Sequence, residues 1–241
     1  MFSTVLYVLG LFVANVIQGI TGFAGNVLAM PTTVYALGVS GARETLNILA
    51  ILSGAFMCVW FRRDISWPKL GRILALIIPG MALGIAIYDF YPADGLLIGY
   101  SLVIAAIGIV NLLKKGEFLL PRWVLILLVL AAGIMQGMFV SGGPLLVIYA
   151  AVVLREKKEF RATLSAVWLI LNFIIFVQSL FFTADVTPEV WYNVAIGVAP
   201  LLIGTVIGGR LQKHLNQHRF MKLTYVLLVV SGIALFAKAF Q

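Results

Sequence analysis

Residues 137–149, GMFVSGGPLLVIY, place a serine, two glycines and a proline in the middle of an apolar stretch. The glycines allow a sharp backbone turn, and Pro144 suits the first turn of a following helix. Within lipid, an irregular backbone is tolerated only where protein or a watery cavity satisfies its polar groups. This stretch therefore predicts two helical legs joined by a tip at residues 140–144, provided that the chain lies in a membrane.

The composition shows that it does. Of 241 residues, 62% are hydrophobic and 11% are charged, whereas an average soluble domain carries about 25% charged residues. Charge-free runs close to the ~20 residues of a spanning helix recur along the chain. They cover residues 45–61, 73–88, 95–113, 124–140, 162–182, 192–209 and 223–237. The chain is predicted to be an all-α polytopic membrane protein, and its opening residues a retained membrane segment rather than a signal peptide.

The loops between these runs predict the topology. Most of the 17 basic residues lie in loops at 62–72, 114–122, 155–161 and 210–222. Other loops carry acids instead, namely Asp89 and Asp94 in one and Asp185 and Glu189 in the other. Basic loops favour the cytoplasmic side, so both termini are predicted outside. The same alternation explains the net charge of +8 without a nucleic-acid partner.

Residues 122–154 begin and end at cytoplasmic loops, so they must enter the membrane and return. As a helix they cover about 50 Å, or roughly 22 Å for each leg, which passes the midplane of a ~30 Å core but hardly crosses it. We predict a re-entrant helical hairpin, although full crossing of both legs gives the same parity. Residues 1–38 behave in the same way from the outside, with a tip in TGFAGN at residues 21–26.

An internal repeat relates the two hairpins. At an offset of 118 residues, scarce polar residues and glycines coincide. The pairs are Gln18 with Gln136, Gly19 with Gly137, Gly25 with Gly143, Arg43 with Arg161, and Thr45 with Thr163. Residues 1–118 and 119–241 are therefore predicted to form two repeats, each a hairpin followed by three transmembrane helices. Since three is odd, the second repeat is inverted, as is typical of secondary transporters.

The tips are the candidate binding site. A helix that begins at a tip points unpaired N–H groups and the positive end of its dipole into the membrane, which suits an anion. Gln18 and Gln136, one turn earlier, are expected to donate amide hydrogens to it, and Ser141 to cap the helix that follows. The candidate substrate-binding residues are Gln18, Thr21, Gly22, Gly25, Asn26, Gln136, Ser141, Gly142 and Gly143.

Arg43 and Arg161 are candidate gating or anion-steering residues at opposite faces. Arg43 is expected on an outer loop, and the alternative is that Glu44 simply neutralises its charge. For Arg161 the alternative is that it only contributes to the excess of basic residues in cytoplasmic loops. All nine acids are expected in loops or at their edges, which leaves no buried carboxylate for ion coupling. No internal disulfide is expected, because Cys58 is the single cysteine, and no metal site is expected, because the two histidines share one loop. No cofactor is expected either.

Other small and polar residues within the runs favour structural roles. Asn47, Asn172 and Gln178 are expected to form interhelical hydrogen bonds, with contact to a ligand as the alternative. Gly80-x3-Gly84 is expected to pack helices. Gly204-x3-Gly208 is expected to do the same and makes a homodimer plausible.

The two tips, GITGFAGNVLAMP (residues 19–31) and GMFVSGGPLLVIY, and the arginine that follows each resemble the TauE/SafE family of sulfite and organosulfonate exporters. The resemblance covers nearly the whole chain, although family tips are richer in glycine. It implies export of sulfite, sulfoacetate or a related sulfur anion across a bacterial inner membrane. Alternatives are a carrier of the same fold for another small anion, or uptake of a sulfur compound. A membrane enzyme would need clustered His, Asp, Glu or Cys, and a non-transporting subunit would not need duplicated tips.

Overall fold

The computed structural model describes residues 2–22, 24–91, 93–113, 121–154, 156–183, 185–211 and 217–239. Parts of the predicted cytoplasmic loops, including 114–120, 155 and 212–216, lie outside these ranges, as does the predicted boundary between residues 118 and 119. The helices are α1 (Phe2–Thr21), α2 (Gly25–Phe61), α3 (Trp67–Phe90), α4 (Ala93–Leu113), α5 (Arg122–Phe139), α6 (Gly143–Val153), α7 (Lys157–Gln178), α8 (Pro188–Leu211) and α9 (Gln217–Lys238). A 3-10 turn (Arg62–Asp64) follows α2, and a π-helical turn (Ser179–Thr183) follows α7.

Hydropathy and length confirm the predicted class. Seven helices within the described ranges are long and apolar enough to cross a membrane, namely α1 to α5, α7 and α8. Helix α6 and the apolar part of α9 (Tyr225–Lys238) are shorter. The chain is therefore an all-α, multi-pass membrane protein.

Both predicted tips are breaks between helices. Helix α1 ends at Thr21 and α2 begins at Gly25, while α5 ends at Phe139 and α6 begins at Gly143. With 11 residues, α6 rises only ~16 Å, about half of a ~30 Å hydrocarbon core. Helix α6 alone is thus too short to cross.

Gly38 interrupts α2 with φ 73° and ψ 176°, so that α2 consists of two helical segments. This left-handed φ is readily adopted only by a residue without a Cβ. At the offset of 118, Gly38 corresponds to Glu156, which lies in the connection between α6 and α7. The return leg of each hairpin therefore ends at equivalent positions of the two halves. In the first half it ends at the kink at Gly38, and in the second half at the short connection between α6 and α7.

The chain divides into two compact units, and the first comprises Met1–Leu46, Tyr91–Glu117 and Thr187–Gln241. Within it α1 packs against α8, and α4 against α9. A Cβ added to Gly208 would lie 2.1 Å from the Val16 carbonyl oxygen, and one on Gly204 2.8 Å from that of Phe12. These glycines confirm the packing prediction, but they pack within the chain. The motif Gly204-x3-Gly208, which favoured a homodimer, thus contacts α1 of the same chain.

The second unit comprises Asn47–Phe90 and Phe118–Val186. Within it α3 and α5 interlock through Gly80, Gly84, Gly133 and Gly137. A Cβ on Gly80 or Gly84 would lie 2.2 Å from a carbonyl oxygen of α5, so the predicted packing role of this pair is confirmed as well. Each unit combines one hairpin with helices from the other half of the sequence, so the units do not coincide with the two predicted repeats, which remain a prediction from the sequence.

Candidate functional site

The first tip is built around Thr21, the last residue of α1. Its Oγ1 donates to the Ile17 carbonyl oxygen at 2.9 Å and accepts the Ala24 N–H at 3.4 Å. Gly22 follows with φ 84° and donates its N–H to the Gln18 carbonyl oxygen at 2.6 Å. The threonine thus ends one helix and holds the turn before the next.

Gln18 folds across the start of α2. A Cβ added to Gly25 would lie 1.9 Å from Gln18 Oε1, so only glycine leaves room for this carboxamide. Gln18, Thr21, Gly22 and Asn26 are all half-buried. The first tip therefore keeps its polar groups partly accessible.

At the second tip Val140 occupies the position equivalent to Gly22 and has the same left-handed backbone, with φ 55°. Among the described non-glycine residues no other has a positive φ. Its N–H donates to the Gln136 carbonyl oxygen at 2.9 Å, as the Gly22 N–H does to that of Gln18. A β-branched residue is strained in this region, at a cost of roughly 1–2 kcal/mol. Burial of the valine side chain, which is 2% exposed, helps to offset that cost.

Gln136 fastens the second tip to its neighbours. Its Oε1 accepts the Gly142 N–H at 3.1 Å, and its Nε2 donates to Asn172 Oδ1 on α7 at 2.7 Å. Gln136 is 1% exposed. Its carboxamide therefore orients the tip, and one of its two donor hydrogens is committed to α7.

The start of α6 is shaped by two other predicted residues. The expectation that Ser141 caps α6 is wrong: its Oγ donates backwards to the Phe139 carbonyl oxygen at 2.7 Å, and the N-cap residue is Gly142, which has no side chain. Pro144 does lie in the first turn. The first N–H groups of a helix have no acceptor within that helix. Because the Gly142 N–H is bound by Gln136 and proline has no N–H, such donors in the first turn of α6 come from Gly143 and Leu145.

Arg43 does not lie on an outer loop, contrary to the prediction. It lies inside α2 and is 1% exposed, in an ion pair with Glu44, which is also 1% exposed. The expectation that every acid lies at a loop or its edge is wrong for the same reason. Because Gly38 alone leaves the helical conformation, α2 continues through the place where a loop was expected. A buried, mutually neutralised pair does not fit a role in steering anions at an entrance.

Arg161 is placed differently. It lies in the first turns of α7, half-buried, and its guanidinium stacks over the Phe61 ring at 5.4 Å from the centroid. Position 162 is alanine, so the second half has no counterpart of Glu44. The equivalent arginines thus have different neighbours.

The polar residues within apolar helices divide into two groups. Asn172 receives a hydrogen bond from Gln136, and Gln178 Nε2 donates to Asp89 Oδ2 at 3.1 Å, which confirms the predicted interhelical bonds for both. Asn47 is wholly buried, yet neither its Nδ2 nor its Oδ1 has a partner among the described residues, contrary to expectation. The same ranges contain no cluster of three metal-ligating side chains.

Comparison with known proteins gives the family. The sequence profile described as "Sulfite exporter TauE/SafE" matches residues 6–235. A protein of Comamonas testosteroni, described as "Probable inner membrane transporter protein TsaS", is 29% identical over 184 residues, covering 72% of this chain and 73% of the relative. No solved structure matches significantly. The chain is therefore a membrane transporter of the TauE/SafE family.

Proposed function

We propose that this protein exports a small sulfur-containing anion, sulfite or an organosulfonate such as sulfoacetate, across the inner membrane by alternating access. The observation that carries the proposal is the pair of tips, in which a helix breaks and a new helix begins inside an apolar chain. The family description supports a sulfur anion, and the relative's name supports the inner membrane. In this proposal both termini face outward.

The chemistry of the tips suits a sulfur oxyanion. The first-turn N–H groups of α2 and α6 have no acceptor within their own helices, and they are aligned with helix dipoles that favour negative charge. A sulfonate group offers three acceptor oxygens to such donors. Glutamine carboxamides hold the start of each helix, against Gly25 in one case and on the Gly142 N–H in the other. The donors are thus oriented before the anion arrives, which reduces the cost of binding.

Charge balance favours export. The one ion pair buried inside α2, Arg43 with Glu44, adds no net charge. An inside-negative potential favours anion efflux by about 2.3 kcal/mol per charge for every 100 mV. Export of a monoanion therefore needs no coupling ion.

A carrier of the same fold for another small anion, or uptake of a sulfur compound, is the second candidate. Backbone N–H groups bind any oxyanion, so the tips themselves do not distinguish sulfonate from carboxylate. Because the tips do not discriminate between oxyanions, a carrier for another small anion is the second candidate function.

The test uses purified protein in liposomes loaded with labelled sulfite or sulfoacetate, with carboxylates and phosphate as competitors. We expect efflux of at least one sulfur anion, faster when the loaded side is made negative. Gly25→Ala should reduce this efflux at least tenfold, because the new methyl group displaces Gln18 from the start of α2. Gly99→Ala, in α4, is the matched control, since nothing lies within 4 Å of its added Cβ. Exchange of carboxylate or phosphate with no response to any sulfur anion would refute the proposal.

A further inference from the structure

Asn47 differs from three other asparagines in the helices, Asn15, Asn111 and Asn172. Asn15 and Asn111 donate to carbonyl oxygens of the preceding turn, and Asn172 accepts from Gln136. Asn47 is 0% exposed, and both of its polar atoms lack a partner within the described part of the chain. A buried polar group without a partner costs about 1–3 kcal/mol. Such groups in native proteins call for a specific explanation, and in membrane helices polar residues often mark substrate pathways.

The packing of α2 against α7 indicates where Asn47 lies in the second unit. Arg161 stacks over Phe61, and a Cβ on Gly54 would lie 3.3 Å from the Leu169 Cβ. From the first contact to the second, the residue number decreases along α2 and increases along α7, so the two segments are antiparallel. Asn47 precedes Gly54 by two helical turns, which places it on the same face of α2, towards α7.

The same register relates Asn47 to the second tip. Seven residues before Gly54 on α2 correspond to about seven residues after Leu169 on α7, so Asn47 is level with Phe176. Asn172, which is bound by Gln136, is then about 6 Å from this level along the helix axis. By this register Asn47 falls about one helical turn from Asn172, whose partner Gln136 also holds Gly142 at the second tip.

We propose that Asn47 binds the transported anion at the second tip through both atoms of its carboxamide, and so selects anions that also carry a hydrogen-bond donor. This inference rests on the proposed function. Nδ2 donates to an oxyanion oxygen, as the N–H groups of the tip do. Oδ1 is an acceptor and repels an oxyanion, so it requires a hydroxyl, an ammonium or an acidic O–H on the same ligand. An organosulfonate with a hydroxyl or amino group satisfies both atoms, as hydrogen sulfite does through its O–H. Fully ionised sulfoacetate satisfies Nδ2 alone and should bind less well.

Two sulfonates of similar size provide the test, ethanesulfonate and 2-hydroxyethanesulfonate. We expect the wild-type protein in liposomes to bind and exchange the hydroxylated anion about tenfold better, since one hydrogen bond to a buried acceptor is involved. Asn47→Leu should remove this preference and weaken both anions. Equal affinity of the wild type for the pair would overturn the proposal, as would a preference that survives in Asn47→Leu.

Stability measurements separate this role from a structural one. Asn47→Leu should keep or raise the thermal stability of the protein in detergent, because leucine leaves no unpaired polar group. Asn172→Leu should lower it, because Gln136 loses its acceptor. Ser165→Ala is the matched control for binding: Ser165 corresponds to Asn47 at the offset of 118, but its Oγ already donates to the Arg161 carbonyl oxygen. A destabilised Asn47→Leu protein that Asn47→Gln restores would identify Asn47 as a structural hydrogen-bond partner and overturn the proposal.

Failure of the proposed function would look different. If the wild type exchanges carboxylates and no sulfur anion, the substrate class is wrong, and the pair acetate and glycolate then tests Asn47 by the same criteria. If it binds none of these anions, both proposals fail.

Discussion

The two tips share a sequence pattern and a backbone turn but differ in how deeply their polar residues are buried. Gly22 and Val140 have the same left-handed conformation, and each donates to the carbonyl oxygen of the glutamine four residues earlier. The polar residues of the first tip are half-buried, whereas those of the second are buried. Gln136 binds both the tip and α7, and Pro144 removes one donor from the second tip.

The two tips therefore differ in how accessible their polar side chains are. The polar groups of the second tip are more deeply buried, and its strained Val140 is stabilised by burial. The first tip has a glycine at the left-handed position, and its Gln18 is half-buried beside Gly25. Variants at equivalent positions should therefore be more harmful to stability at the second tip and more selective for transport at the first.

The largest difference is expected between Gly142→Ala and Gly25→Ala. The added Cβ of Gly142→Ala would lie 2.2 Å from the Ala132 carbonyl oxygen, which is backbone and cannot move aside. We expect more than about 4 kcal/mol of destabilisation, and little folded protein. In Gly25→Ala the nearest atom, Gln18 Oε1, is the end of a flexible side chain, although the new Cβ would also lie 2.8 Å from Gln18 Cβ. We therefore expect a smaller loss of stability than in Gly142→Ala, together with a loss of transport. Expression and thermal unfolding in detergent check this, and comparable folding of the two variants would contradict it.

Outside the tips the order is reversed, and a second difference is expected between the equivalent arginines Arg43 and Arg161. Arg43→Ala leaves Glu44 buried without its guanidinium, at a cost of about 3–5 kcal/mol. Arg161→Ala removes a cation–π contact of about 0.5–2 kcal/mol and should cost less. The double variant Arg43→Met with Glu44→Leu is the control, and it should regain most of the stability lost in Arg43→Ala. Thermal unfolding measures all three, and a double variant as unstable as Arg43→Ala would refute burial of the lone charge as the cause.

The smallest difference is expected between the glutamines. Gln136→Ala leaves the Gly142 N–H and Asn172 Oδ1 without their partner and should cost about 2 kcal/mol. Gln18→Ala, at a half-buried position, should cost less and reduce mainly transport. A double-mutant cycle of Gln136→Ala with Asn172→Ala measures the coupling of this pair. Strictly additive losses would show that the hydrogen bond contributes nothing to stability.

Much of the fold could be predicted because the relevant signals are local. Apolar runs of spanning length predict membrane helices whatever their neighbours, since lipid requires each helix to satisfy its own backbone. Glycine and proline mark the tips for an equally local reason, the φ values that they allow. The breaks after Thr21 and Phe139 and the close packing at Gly80, Gly84, Gly204 and Gly208 follow from such signals.

The role of each polar side chain was decided by tertiary structure. Asn47, Asn172 and Gln178 look alike in the sequence, and only the packing of α7 gives partners to the last two. Arg43 was expected on a loop because charge is costly in lipid, but its ion pair with Glu44 allows both to be buried. Hydrogen bonds and ion pairs depend on ångström-scale distances between segments remote in sequence. Composition and spacing therefore determined that this protein is a membrane protein with two breaks between helices, and the folded chain decided which of its polar side chains are paired.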